Sequence, residues 1–317
     1  MKAVFIGGCP RSGTTMLGAM LGAHPACVCV PEMPFKIELL RECSWAGGGP
    51  PRSEIAAALQ RHWRYRFWNV DLEDLPETGH GAAPERYRLT LESLVRGYAA
   101  AVGKPQADVW VDHTPGNTRY AHTLFERFET AKMIHLVRDG RGVAASVLPL
   151  DWGPNSILHA AAWWPKNLAY GLAAEARWSE ARVRRVRFED LLVDSEAPLR
   201  SLCDFLELDF VPEMRNPTGF RVPRYTAAHH ALIGGEPQRG RAEAWRQTLT
   251  AREIEIFEGL TGDLLGYLGY ERLFGVAAAA PTRTEELRSH VGDGLHTAGN
   301  LVRRLGRMKR SLPKRSP

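Results

Sequence analysis

The chain lacks any apolar run long enough to cross a membrane, and it lacks a cysteine pattern suited to disulfides or zinc. A bilayer span needs about 20 consecutive apolar residues, and every apolar stretch of the 317-residue sequence stops well short of that. The five cysteines, Cys9, Cys27, Cys29, Cys43 and Cys203, are odd in number, thinly spread and form no C-x-x-C pair. That excludes a disulfide framework and a zinc-ligand spacing, and it points to a reducing compartment. No leader peptide is visible, because the first β-rich run begins at about Lys2, so a cytoplasmic location is expected. Internal repeats are absent as well. The most telling absence is local. Gly8-Cys9-Pro10-Arg11-Ser12-Gly13-Thr14-Thr15 has the outline of the phosphate loop G-x-x-x-x-G-K-[ST], but Thr14 stands where the lysine belongs. That lysine reaches the β- and γ-phosphates of a nucleoside triphosphate. The nearest cation here is Arg11. A run of four apolar residues ending in Asp, the usual partner of a magnesium site, is also missing. Leu136-Val137-Arg138-Asp139 comes closest, and Arg138 interrupts it. The loop is therefore shaped for a phosphate but not for ordinary ATP or GTP, and no metal is expected.

What is present reads as an α/β protein. Hydrophobic residues make up 44% of the sequence, enough for a sizeable core. Short β-rich runs bounded by turn residues predict strands at Ala3–Ile6, Cys27–Val30, Val109–Val111, Met133–Val137 and Val183–Phe188. Helical stretches separate most of them, which predicts a parallel sheet covered on both faces. The expected class is a three-layer, phosphate-loop-type parallel sheet flanked by helices, with a helical and irregular insert covering the substrate side. A helix is expected over His159–Ser179, kinked or broken at Pro165. Residues 1–275 are expected to form the domain, with 44–105 as the insert. The insert carries Trp45, Trp63, Tyr65, Phe67 and Trp68. These suit an apolar wall for an acceptor, and equally the packing of the insert onto the sheet. Residues 276–317 form a basic tail, suited to weak contact with an anionic membrane surface or a partner, or to plain solvation. The net charge of +5 fits an anionic substrate; it does not discriminate among anionic partners.

The order strand, glycine-bearing loop, helix builds an anion cradle from Gly8 to Thr15, because backbone N–H groups and the helix N-terminus converge there. A second stretch, Met133 to Ser146, places Arg138 at the carboxyl end of a buried strand and Ser146 about two turns into the next helix. Ligands of doubly wound sheets bind at such strand ends. Together the two stretches resemble PAPS-dependent sulfotransferases, most closely the branch with tyrosylprotein sulfotransferases and many bacterial enzymes. Pro10-Arg11-Ser12-Gly13-Thr14-Thr15 resembles that family's 5′-phosphosulfate loop. Arg138 and Ser146 resemble its 3′-phosphate site. Arg187-Phe188-Glu189-Asp190-Leu191-Leu192 resembles its R-Y-E-D-L segment, with Phe for Tyr. Gly240, Trp245 and Leu268-Gly269-Tyr270 also fall where such chains carry Gly, Trp and L-G-Y.

The resemblance implies PAPS as donor and a hydroxyl of a small molecule, glycan or lipid as acceptor, with 3′,5′-ADP released. It implies Glu32 as base, at the offset from Arg11 that the tyrosylprotein branch uses, where it can take the acceptor's proton. Arg11 would offset charge on the bridging oxygen. His113 stands where that branch has a lysine. As imidazolium it could do the lysine's work, as neutral imidazole it could act as base, or it could be structural. Arg239, Gly240 and Arg241 are expected to add late contacts to the donor's 3′ end. Ala244 replaces the cation that the tyrosylprotein branch carries just before its Trp. No nucleic-acid partner is expected. A phosphate-loop kinase or NTPase, and a non-catalytic nucleotide-binding protein, remain the alternatives.

Overall fold

Five short β-rich segments become five parallel strands in the computed structural model, which describes residues 1–71, 75, 82–216 and 239–293. They are β1 (Lys2–Gly7), β2 (Cys27–Val30), β3 (Val109–Asp112), β4 (Lys132–Val137) and β5 (Val183–Arg187). Their order in the sheet is β2-β3-β1-β4-β5. The register pairs Val4 with Val111 and with Lys132, and Ile134 with Arg184. β2 and β3 are buried along their whole lengths, as parallel strands covered on both faces must be. β1 lies in the middle, so the chain order reverses on either side of it. That switch point is where sheets of this type bind ligands, and the phosphate loop leaves the carboxyl end of β1.

The chain divides into two compact units. One comprises Met1–Val137 and Ala169–Arg239, the other Arg138–Leu168 and Gly240–Pro317. The first unit holds the whole sheet, with helices α1 (Thr14–Gly22), α2 (Phe35–Glu42), α3 (Arg52–Arg61), α4 (Ala83–Ala101), α5 (Ala121–Arg127), α8 (Phe188–Val193) and α9 (Glu196–Leu206). Its core is built around Phe5, Trp110 and Phe128, whose rings meet edge-on at 5.5–5.7 Å. Such pairs add about 0.5–1.5 kcal/mol each beyond their buried area. Leu91, Leu94 and Val95 of α4 are completely buried in the same cluster.

The aromatics of the insert separate into two groups. Trp45, Tyr65 and Trp68 are buried; Phe35 packs edge-on against Tyr65 and Trp68. These three hold the insert on the sheet. Trp63 and Phe67 are exposed, at 46% and 37%, so only these two stand as a candidate apolar wall.

The second unit holds α6 (Gly140–Val147), α10 (Trp245–Thr248), α11 (Ala251–Thr261) and α12 (Leu264–Tyr267). α7 (Ile157–Arg177) runs through Pro165 without a break. The proline removes one intrahelical N–H bond, but its neighbours Trp164 and Leu168 are fully buried, and their burial offsets that loss. Residues 283–293 form a further helix. It opens with a Thr282–Glu285 capping box. The contacts that hold it in place include Arg252 on Glu285 at 2.9 Å, Ser156 on Ser289 at 2.6 Å, the Asn155 amide donating to the Gly292 carbonyl at 3.0 Å, and His159 beside Asp293 at 3.4 Å. The basic residues from Arg303 onward lie outside the described residues.

Candidate active site

The loop between β1 and α1 makes its turn with two residues in the left-handed region, Arg11 at φ 74° and Gly13 at φ 95°. That conformation costs a non-glycine residue about 1–2 kcal/mol, so Arg11 carries strain of the kind found at ligand clamps. Gly13 is required twice over. A Cβ there would also lie 2.4 Å from the ring of Phe188. The aromatic at the family's tyrosine position thus covers the loop by packing rather than by a hydroxyl contact.

α1 begins at Thr14 with no acidic residue in its first turn and no side-chain cap. The first amides of a helix have no intrahelical acceptor. The positive end of α1 is therefore open to an anion. Ser12 is buried, and its hydroxyl finds no partner among the described residues. An orphaned buried hydroxyl beside an uncapped helix start fits a phosphate or phosphosulfate oxygen. Thr14 and Thr15 are buried in the first turn; Pro10 is partly exposed at the loop's edge. Gly13→Ala is expected to weaken 3′,5′-ADP binding at least tenfold by calorimetry, since about 1–2 kcal/mol of left-handed strain adds to the clash with Phe188.

Glu32 follows β2 and sits beside this loop. Its carboxylate acts electrostatically on both Arg11 and His113. The structure therefore gathers Arg11, Glu32 and His113 at one edge of the sheet. Burial pulls the Arg11 guanidinium below its ordinary value, and Glu32 counters that pull. The other face of Glu32 meets Arg64, at 3.4 Å. The Arg64 guanidinium lies 4.5 Å from the ring of Trp63, and Trp63 meets Phe67 edge-on at 6.2 Å. The exposed aromatics of the insert thus lead directly to Glu32.

His113 is buried, with its Nδ1 3.5 Å from the Cys29 sulfur. Burial holds its pKa below the ordinary 6.5, while Glu32 and Asp112 pull upward. The ring is therefore neutral at physiological pH, which suits a hydrogen-bonding role over a cationic one. A histidine kept neutral in the fold accepts a proton more readily when unfolded. Stability should then fall as pH drops below about 6.5. The thermal midpoint of the wild type should decline more between pH 7.5 and 5.5 than that of His113→Asn.

A buried network that the sequence reading missed holds the Glu32 segment. Lys36 pairs with Asp112 at 2.7 Å, both almost wholly buried, and Lys36 also donates to the Met33 carbonyl at 3.1 Å. Asp112 accepts from the Thr114 amide and hydroxyl at 2.9 and 2.5 Å. The Thr114 hydroxyl oxygen in turn accepts from the Met33 amide at 2.8 Å. Burial pushes the Asp112 carboxyl up, but Lys36 and Thr114 outweigh it and hold the pKa below its ordinary 3.8. The residue after Glu32 is thereby tied to the end of β3. Two signals were available in the sequence. Lys36 stands among apolar neighbours, and Asp112 ends an otherwise apolar strand.

Arg138 and Ser146 belong to the second unit. Asp139 caps α6 by accepting from the Arg141 amide at 2.9 Å. The Arg138 guanidinium folds back over Gly142, where an added Cβ would lie 3.1 Å from its Nε. Trp245 approaches the same spot within 3.6 Å. Ser146 is partly buried in the second turn of α6. Arg141 supports this element. It pairs with Asp139 at 2.7 Å and Glu258 at 2.5 Å, and it stacks 3.9 Å from the Trp245 ring. Arg239–Arg241 form a 3₁₀ turn in which Gly240 and Arg241 are exposed.

The family model described as "Sulfotransferase family" matches residues 3–212. The chain belongs to the sulfotransferase family. Among its relatives in that family, protein-tyrosine sulfotransferase A of Caenorhabditis elegans is 25% identical over 212 residues, 65% of this chain and 50% of that one. Protein-tyrosine sulfotransferase 2 of Gallus gallus is 22% identical over 244 residues, 75% of this chain and 56% of that one. The chain thus spans about half the length of these curated relatives. The sulfotransferase domain of the Synechococcus PCC 7002 olefin synthase shares the fold, with TM-score 0.55 and 22% identity over 86% of this chain and 95% of that one. The sulfotransferase domain of the curacin biosynthetic pathway does so with TM-score 0.53 and 21% identity, over 85% and 98%. The matched region contains the phosphate loop, Glu32, His113, Arg138, Ser146 and the Arg187–Leu192 segment. It excludes Arg239–Arg241 and the tail.

Proposed function

We propose that this chain transfers the sulfuryl group of PAPS to a hydroxyl of a small molecule, glycan or lipid, releasing 3′,5′-ADP. The observation that carries this reading is the gathering of Arg11, Glu32 and His113 beside an uncapped helix start with an orphaned Ser12 hydroxyl. PAPS supplies a sulfuryl group already bonded to a phosphate leaving group. The backbone N–H groups of residues 13–15 and the Ser12 hydroxyl bind the 5′-phosphosulfate end. Arg11 places positive charge beside it, where charge grows on the bridging oxygen. By family resemblance, Arg138, Ser146 and the turn at Arg239–Arg241 are assigned to the 3′-phosphate. Glu32 accepts the acceptor hydroxyl's proton. His113, neutral, contributes a hydrogen bond rather than charge. No metal is assigned a role.

Trp63 and Phe67, which adjoin Glu32 through Arg64, favour an acceptor with an apolar or ring-shaped body. The names of the relatives add phenolic hydroxyls to the acceptors worth testing. The experiment is transfer of labelled sulfuryl from PAPS to a panel of simple phenols, a tyrosyl peptide, oligosaccharides and lipid alcohols. Transfer to at least one class, with 3′,5′-ADP formed in equal amount, is the expected result. Tight 3′,5′-ADP binding with transfer to no class would instead support a non-catalytic binding protein.

A further inference from the structure

Arg64 is the cation that meets Glu32 from the insert. Its Nη2 lies 3.4 Å from the Glu32 Oε2, and both side chains are partly buried. The guanidinium carbon stands 4.5 Å from the centre of the Trp63 ring. Both Trp63 and Arg64 belong to the 3₁₀ turn Trp63–Phe67. Tyr65 anchors that turn from within: its ring is buried and its hydroxyl donates to the Val70 carbonyl at 3.2 Å.

His62 fixes the same turn to the segment that follows Glu32. Its Nδ1 accepts from the Arg64 amide at 3.3 Å, and its Nε2 lies 3.5 Å from the Glu38 carboxylate. The His62 ring also meets Phe35 edge-on at 5.6 Å. Phe35 and Glu38 stand on α2, which starts three residues after Glu32. The insert turn and the Glu32 segment are thus joined twice, once through His62 and once through the Arg64–Glu32 pair. Stability does not explain the second joint. Trp63 is left exposed, so a guanidinium on its face closes no core, and a partly exposed ion pair adds little to folding. The arrangement does orient. A planar guanidinium stacked on a ring keeps its donors in one plane, and a carboxylate met at one oxygen keeps the other for a proton.

We propose that Arg64 is a positioning residue for the transfer step. From the insert it holds Glu32 by Oε2 in the setting that presents Oε1 to the acceptor hydroxyl. Oε1 takes the proton as the hydroxyl oxygen bonds to sulfur and the bond between sulfur and the bridging oxygen breaks. This role rests on the reading of Glu32 as base. It makes the insert a contributor to the chemical step and not only a wall for the acceptor.

The test is single-turnover transfer from PAPS to whichever of the simple phenols, tyrosyl peptide, oligosaccharides and lipid alcohols the wild type uses fastest. R64A should lose about ten- to hundredfold in rate, the scale of a misplaced catalytic group, with 3′,5′-ADP binding within twofold and the thermal midpoint unchanged. If R64A lowers the midpoint, R64M takes its place, because it keeps an apolar stem on Trp63. R64K keeps the charge without the planar fork and should fall between R64A and wild type. Guanidinium chloride, at concentrations too low to unfold the protein, should restore part of the R64A rate and leave wild type and E32Q unmoved. In an E32Q background, R64A should change the rate less than twofold, because Arg64 acts through the carboxylate. Three results overturn the proposal while leaving Glu32 as base: a wild-type rate for R64A beside a slow E32Q, an equal loss on adding R64A to E32Q, or a loss confined to KM, which would make Arg64 an acceptor-binding residue. A wild-type rate for E32Q, or no transfer by the wild type, overturns it together with the proposed function.

Discussion

Glu32→Gln is expected to slow sulfuryl transfer about 10²–10⁴-fold in single turnover, the range for loss of a general base. Binding of 3′,5′-ADP should stay within twofold of the wild type. The substitution keeps the shape of the side chain and removes only its basicity. It also ends the ion pair with Arg64, which is partly exposed on both sides. Such a pair contributes about 0–1 kcal/mol, so the variant should stay folded and the loss should appear in the chemical step. Normal turnover with normal donor binding would show that the base is another group, and His113, neutral and close by, would be the next to test.

The largest stability effect is expected at Lys36. Lys36→Met should destabilise the protein by about 3–5 kcal/mol in a denaturant titration, because it leaves Asp112 buried and uncompensated. The sign of its pH dependence follows from the same pair. With Lys36 gone, burial still pushes the Asp112 carboxyl up and only the Thr114 hydrogen bonds oppose it, so its pKa rises from the lowered value it has beside Lys36. A carboxyl with a raised folded pKa is best tolerated at low pH, and the stability it allows is lost as pH rises through that value. The gap between variant and wild type should therefore narrow between pH 7.5 and 5. A loss below about 1 kcal/mol with no pH dependence would mean that the pair does not hold the Glu32 segment in place.

These two residues illustrate what was legible in the sequence. β2 and its following Pro31-Glu32 could be read because an apolar run bounded by turn residues predicts a buried strand and its end. The phosphate loop could be read because backbone geometry forces glycine at Gly13. Lys36 and Asp112 were not read, because their meaning depends on a partner more than seventy residues away. Propensity and periodicity carry no information about such pairs. Of the kink or break expected at Pro165, the break does not occur, for a related reason. A local rule predicted it, and the burial of Trp164 and Leu168 outweighed the rule. The insert aromatics looked alike in sequence, yet burial separated Trp45, Tyr65 and Trp68 from Trp63 and Phe67.

On the proposed function, a phosphate loop without its lysine, with Arg11 and an orphaned Ser12 hydroxyl, serves a phosphosulfate donor rather than a triphosphate. Calorimetric titration of the full chain with 3′,5′-ADP, 5′-AMP and ATP·Mg²⁺ tests it most directly. 3′,5′-ADP should bind at least tenfold tighter than 5′-AMP, Arg138→Gln should erase that margin, and ATP·Mg²⁺ should bind no better than 5′-AMP. Preferential binding of ATP·Mg²⁺, with 3′,5′-ADP no tighter than 5′-AMP, would contradict it.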